Sequence, residues 1–172
     1  MDSDALRKKN TFGRDFLTYL CYKSDAQAGQ IKLAPGDQEF ALWVDSKIVL
    51  EDDRAAPPNI LSYSGDDFTN QDLKQAIRSG KRVREARFRL EKGGNTWTFT
   101  LRADRFEIAG LKIDMPAATD PEERFFGRIL SIEALNGILD DLYGLFVSEV
   151  QEKTWKTKGY REFQKWLAAR EV

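Results

Sequence analysis

The sequence contains no histidine and only one cysteine, Cys21. Without histidine there is no imidazole general base, no Ser-His or Cys-His nucleophile pair, and none of the commonest metal ligand. A single cysteine makes neither an internal disulfide nor a thiolate zinc cluster. Cys21 sits among Leu17, Leu20 and Tyr22, which reads as a small core residue with nothing nearby to activate it. Both absences fit a reducing, intracellular compartment, and the cytoplasm is the expected location. No apolar run approaches the length of a membrane span, and Met1 to Asn10 lack the apolar core of a secretory signal, so no membrane contact is expected. A glycine-rich phosphate loop is missing as well. The adjacent acids Asp52-Asp53 and Asp66-Asp67 have no further ligands at defined spacing and read as surface loops. No metal, no cofactor and no enzymatic turnover are expected.

Net charge is also nearly absent. Lys and Arg number 27 against 28 Asp and Glu, a formal charge of -1, so the whole molecule is no magnet for nucleic acid. The charge is segregated, however. Lys74 to Arg105 is basic and Asp37 to Asp67 is acidic.

What is present is enough for a single core: 172 residues, 41% hydrophobic and 32% charged. The chain divides into a flexible leader over 1–11, one α+β domain over 12–150 and a helical extension over 151–172. The clearest element is a hairpin from Glu85 to Arg102. Gly93-Gly94 supplies the positive φ angles of a two-residue turn. With that turn Leu90 faces Trp97, Phe88 faces Phe99 and Ala86 faces Leu101, which puts every apolar residue on one side. The other side pairs Glu91 with Thr96, Arg89 with Thr98, Arg87 with Thr100 and Glu85 with Arg102. Val83 is out of phase with this set, which calls for a bulge near Arg84 or Glu85.

Around the hairpin, Thr11 is expected to cap a helix from about Phe12 to Ser24, buried through Phe12, Phe16, Leu17 and Leu20. Strands are expected at 30–33, 39–44 and 47–51, the last two flanking Asp45-Ser46 as a tight turn, and again at 59–63. Trp43 is assigned to the core, its strand being apolar on both faces. A helix capped by Thr69 or Asn70 carries Leu73, Ala76 and Ile77 inward and stops at Gly80. Residues 105–113 read as a third meander strand, with Phe106 and Ile108 in one phase, Leu111 and Ile113 in the other, and Gly110 at the change. Asp120-Pro121-Glu122-Glu123 opens a long helix. Its apolar stripe, from Phe125 and Phe126 to Val150, is wide enough to cover a sheet and a neighbouring helix. A last helix at 159–170 places Tyr160, Phe163, Trp166 and Leu167 on one side. The fold class is α+β with a mainly antiparallel sheet, covered by the long C-terminal helix.

Lys81, Arg82, Arg84, Arg87, Arg89 and Arg102 form the candidate nucleic-acid-binding side, with Thr98 and Thr100 as hydroxyl donors to phosphate. The competing reading is a solvated sheet face in which Glu85–Arg102 is a cross-strand ion pair. Trp155 and Trp166 are candidates for a partner surface. Residues 153–161 interleave bases with aromatics, a pattern shared by nucleic-acid contacts and by a tail helix that docks on its own domain or on a second subunit.

Three segments together resemble the C-terminal half of the recombination-associated RdgC protein family. They are Phe16-Leu17-Thr18-Tyr19-Leu20, Gly80-Lys81-Arg82-Val83 running into an alternating strand, and Ala109-Gly110-Leu111-Lys112. The long helix after Asp120 occupies the matching last position. The resemblance covers about Phe12 to Val150. It implies a non-enzymatic protein that binds double-stranded DNA without sequence preference, forms dimers and restrains recombinase. Two departures stand out: the family's N-terminal half is absent, and Gly65-Asp66-Asp67 is acidic where the family is basic. A protein-interaction or inhibitor module that kept the fold and lost DNA is the alternative, acting through the acidic loops or the C-terminal helix.

Overall fold

In the computed structural model, residues 3–33, 38–52, 54, 56–65, 69–117, 119–151 and 155–169 are described. Asp53, Asp66, Asp67, Lys153, Thr154, Arg170 and the Phe12 side chain, which entered the readings above, lie outside them.

A six-stranded antiparallel sheet is organised around one long strand, β2 (Gln38–Asp52). Strand β1 (Gln30–Leu33) pairs with its first part and β3 (Asn59–Ser64) with its last part, along the same edge. Its other edge carries β4 (Arg82–Lys92), followed by β5 (Asn95–Arg102) and β6 (Glu107–Asp114). The expected tight turn at Asp45-Ser46 does not form, because β2 runs through it. Val44 faces Phe88 and Ile48 faces Ala86, so β2 advances four positions while β4 advances two. The polar pair sits in a bulge of one continuous strand. An even number of extra residues leaves Phe40, Leu42, Ile48 and Leu50 on one face, all buried.

The second irregularity is the bulge that Val83 demands. Val49 faces Glu85 but Leu50 faces Val83, which leaves Arg84 as the extra residue. Between β4 and β5 the pairs run from Glu85↔Arg102 through Phe88↔Phe99 and Leu90↔Trp97 to Lys92↔Asn95. Gly93 and Gly94 between them have φ of 58° and 83°, angles that an L side chain would strain. Gly110, at φ 60°, sits where the β5–β6 register slips by one. Phe106 is not in that strand. It occupies the preceding turn at φ 51°, and its ring meets Phe16 and Tyr143. Trp43 is half-buried on the face opposite the core, against Gly29, where a Cβ would lie 2.1 Å from the indole nitrogen.

The core face is covered by helices. α1 (Ser3–Ala26) begins well before the expected Thr11 cap. Residues 5–9, Ala-Leu-Arg-Lys-Lys, are good helix formers, and nothing between them and Phe16 breaks the helix. Phe16, Leu17, Leu20 and Cys21 are buried. The Thr18 hydroxyl donates to the Arg14 carbonyl at 2.8 Å and accepts the Val83 N–H at 3.0 Å, seating α1 on the bulged end of β4. α2 (Asn70–Arg78) has a reciprocal capping box between Thr69 and Asp72. It ends with Lys81 N–H on the Ala76 carbonyl and Gly80 N–H on Ile77, a Schellman closure.

α3 (Pro121–Gln151) starts at Asp120, whose side chain accepts the Glu122 N–H. From Ser131 onward, Leu135, Ile138, Leu142 and Phe146 are buried. The Trp97 indole N–H donates to the Ser131 carbonyl at 3.0 Å. A π-helical turn, Trp155–Gly159, leads into α4 (Tyr160–Ala168). Asp25 binds the end of α1 to both small helices. It accepts from Asn70 and from the Trp166 indole, and it pairs with Lys74 at 3.2 Å. Lys74 also lies 5.4 Å from the Trp166 ring, a cation–π contact.

Trp97 is 1% exposed. Its replacement by Ala removes the ring and the hydrogen bond to α3, and should lower stability by about 3–5 kcal/mol in denaturant unfolding. Thr18→Val keeps the volume but leaves the Val83 N–H unpaired, with an expected loss of about 1–3 kcal/mol. Unchanged unfolding midpoints would contradict both placements.

Candidate functional site

The six cations read as a nucleic-acid side all belong to β4, β5 and the turn before β4, but they do not form a free basic surface. Lys81 is 8% exposed. Arg82 reaches Asp15 on α1 at 3.4 Å. Arg84 lies between Glu51 at 3.2 Å and Asp104 at 3.3 Å. Arg87 pairs with Asp45 at 2.9 Å, and Arg89 with Glu91 at 2.6 Å. Arg102 holds Glu85 at 3.1 Å and approaches Glu107 at 3.5 Å, while Lys47 takes the other oxygen of Glu85 at 2.7 Å. Each of these five arginines therefore has a carboxylate within ion-pair distance.

Position along the strands explains the pattern. The β2 bulge delivers Asp45 to Arg87, and cross-strand registry delivers Glu85 to Arg102. At the lower end of this face a cleft of about 390 Å³ is lined by Arg84, Arg102 and Arg105 together with Glu85, Asp104 and Glu107. A phosphate entering it would meet as many carboxylates as guanidiniums. Behind it, Arg14 of α1 pairs with Glu51 at 3.2 Å with both side chains buried, an ionic link between helix and sheet.

A second concavity, about 250 Å³, lies between α1, the end of α3 and α4, with Tyr19, Tyr22, Phe146, Trp155 and Phe163 in its walls. The cation that such rings attract is already supplied by the chain. Lys23 lies 5.3 Å from the Tyr19 ring and pairs with Glu149 at 3.0 Å. Tyr19 donates to Glu149 at 2.9 Å, and burial followed by that carboxylate pushes its hydroxyl pKa far up. Trp166, a candidate for a partner surface, is buried against the chain's own α1 and α2, and Leu167 beside it is buried too. The extension is part of the domain's packing, because its apolar face finds cover within the chain. Trp155 is half-buried beside Tyr19.

Cys21 is fully enclosed, and burial pushes its thiol pKa up, away from nucleophilic use. Among the described residues no three potential metal ligands gather, and no helix is long and apolar enough to cross a membrane.

The feature that sequence reading misplaced is the start of α3. Its apolar residues were expected to cover the sheet and a neighbouring helix. Instead Phe125 is 62% exposed, Phe126 61%, Leu130 64%, and Ile129 and Ile132 are also exposed. At about 100° per residue, the buried set from Ser131 to Phe146 spans a sector of about 80°. The five exposed residues fill a sector of about 160° on nearly the opposite side. The helix thus has two opposed apolar stripes, one anchored and one open. Arg124 and Arg128 occupy the sheet-side sector of the early turns, which is why those turns do not roll inward. The signal was in the sequence, as a change of phase between Leu130 and Leu135.

Compared with known protein families and with curated proteins, the chain matches none.

Burial alone would push the Glu85 carboxyl up, but Lys47 and Arg102 together hold it below the usual carboxylate range. A carboxylate held low in the fold stabilises above its unfolded value, and that contribution is lost as the pH falls through the folded value. Glu85→Gln should therefore melt below the parent at pH 7, with the gap closing below about pH 4. A gap that persists in acid would show that the ion pairs are not its source.

Proposed function

We propose that this chain is a non-enzymatic binding protein that acts by docking on another protein through the open face of α3. The observation that supports the reading is the opposed stripe. Five large apolar side chains are exposed on the early turns of a helix whose later turns, from Ser131 onward, are buried against the rest of the chain. Taking side chains of about 150–200 Å² each, they expose on the order of 500 Å², at the upper end for the largest patch on a monomer. The lack of histidine and the enclosed thiol support the absence of turnover.

Duplex DNA binding is the second reading, and the resemblance to recombination-associated proteins supplies its setting. What favours it is that Arg84, Arg89 and Arg102 keep between 41% and 55% of their side chains in water despite their carboxylates. Those pairs would have to open for phosphate to enter. The protein-docking reading needs no contact to break.

Two measurements separate the readings. A hydrophobic fluorescent dye should bind the native protein, and Phe126→Asp with Leu130→Asp should abolish that signal without moving the melting midpoint. An electrophoretic shift with plain duplex at two salt concentrations should show little retention, unchanged in Arg87→Glu/Arg89→Glu. Tight binding that falls with a logarithmic salt slope of about -0.9 per phosphate, and fails in that double variant, would make the sheet face the functional one.

A further inference from the structure

The open face of α3 is framed by charge of one sign. Glu122 and Glu133 lie on the same line of the helix as the centre of the apolar stripe, one at each end of it, and Asp140 continues that line. Glu123 and Asp141 flank it on the side of Leu130. All five are exposed, and none makes an ion pair with a described residue. The only cations of α3, Arg124 and Arg128, lie outside this sector. Resting on the docking reading above, we propose that the occupant is an amphipathic helix of a different protein, with an apolar stripe bracketed by lysine or arginine. Its basic residues lie about eleven positions apart, since Glu122 and Glu133 are separated by about 16 Å along the axis.

Charge complementarity selects this partner over a second copy of the chain. An antiparallel pair of copies centred on the apolar stretch sets Glu122 of one against Glu133 of the other. A parallel pair sets each glutamate against itself. Both stack like charges at the ends of the contact, where they act against association. A helix with basic ends reverses the sign of both end contacts and covers the same phenylalanines and leucine. Phe126, Ile129 and Leu130 stand at i, i+3 and i+4, the anchor spacing of helix-face recognition.

The test uses three labelled helical peptides with one leucine stripe and lysine, glutamine or glutamate at the bracketing positions. Their binding to the full chain is followed by fluorescence anisotropy. The lysine peptide should bind at least about tenfold tighter than the glutamate peptide. Leu130→Asp should weaken it by a similar factor with an unchanged melting midpoint. Glu122→Lys/Glu133→Lys should reverse the order of the peptides. Equal binding of all three, or an order that the double reversal leaves intact, overturns the basic-ended helix while leaving protein docking standing. A parent chain that sediments as a dimer broken by Leu130→Asp makes the second copy the occupant and likewise overturns it. If no peptide binds, the chain is monomeric and Leu130→Asp changes neither dye binding nor association, this inference and the docking reading both fall.

Discussion

The hydrogen bond from the Trp97 indole to the Ser131 carbonyl ties the sheet to its longest helix, and much of the molecule's surface follows from it. A buried indole N–H must find an acceptor. The hairpin turns Trp97 inward, and the backbone of α3 is what lies there. That contact fixes both where α3 touches the sheet and how it is rotated about its own axis. With Ser131 and Leu135 turned inward, Phe126 and Leu130 have nowhere to go but outward. An exposed apolar face is thus the consequence of a buried polar requirement.

The outer face of the sheet obeys a different constraint. It is dense in arginine, yet its guanidiniums are matched to carboxylates delivered by the bulge in β2 and by the registry of β4 with β5. Individually such exposed pairs contribute little. Their collective effect is to keep a two-sided sheet soluble without giving it a strong field. The buried pair between Arg14 and Glu51 belongs to the same set, but it works as an attachment, holding α1 to the strand that organises the sheet.

How far this was legible in the sequence depended on the range of each interaction. The hairpin register, the bulge at Arg84 and the phase change at Gly110 are written in the alternation of a few neighbouring residues. The Thr69–Asp72 box and the start at Asp120 are equally local. Asp45-Ser46 misled because bulges and turns draw on the same polar residues, and only the partner strand distinguishes them. The arginines were identified by type, but their carboxylates come from distant segments: Arg87 and Asp45 are 42 residues apart. Likewise the apolar content of α3 and its change of phase after Leu130 were plain, whereas which phase faces inward is decided by Trp97, on β5.

α3 is 31 residues long, about 46 Å, and its two ends answer to different demands. Beyond Ser131 its side chains are shared with the core, so a change there is a change in folding free energy. Before Ser131 none of its side chains is buried in the core. Phe125, Phe126 and Leu130, each more than 60% exposed, can therefore vary in size, shape or polarity at little cost to the fold. Such a helix lets recognition drift, or be redesigned, on a scaffold whose stability is held elsewhere.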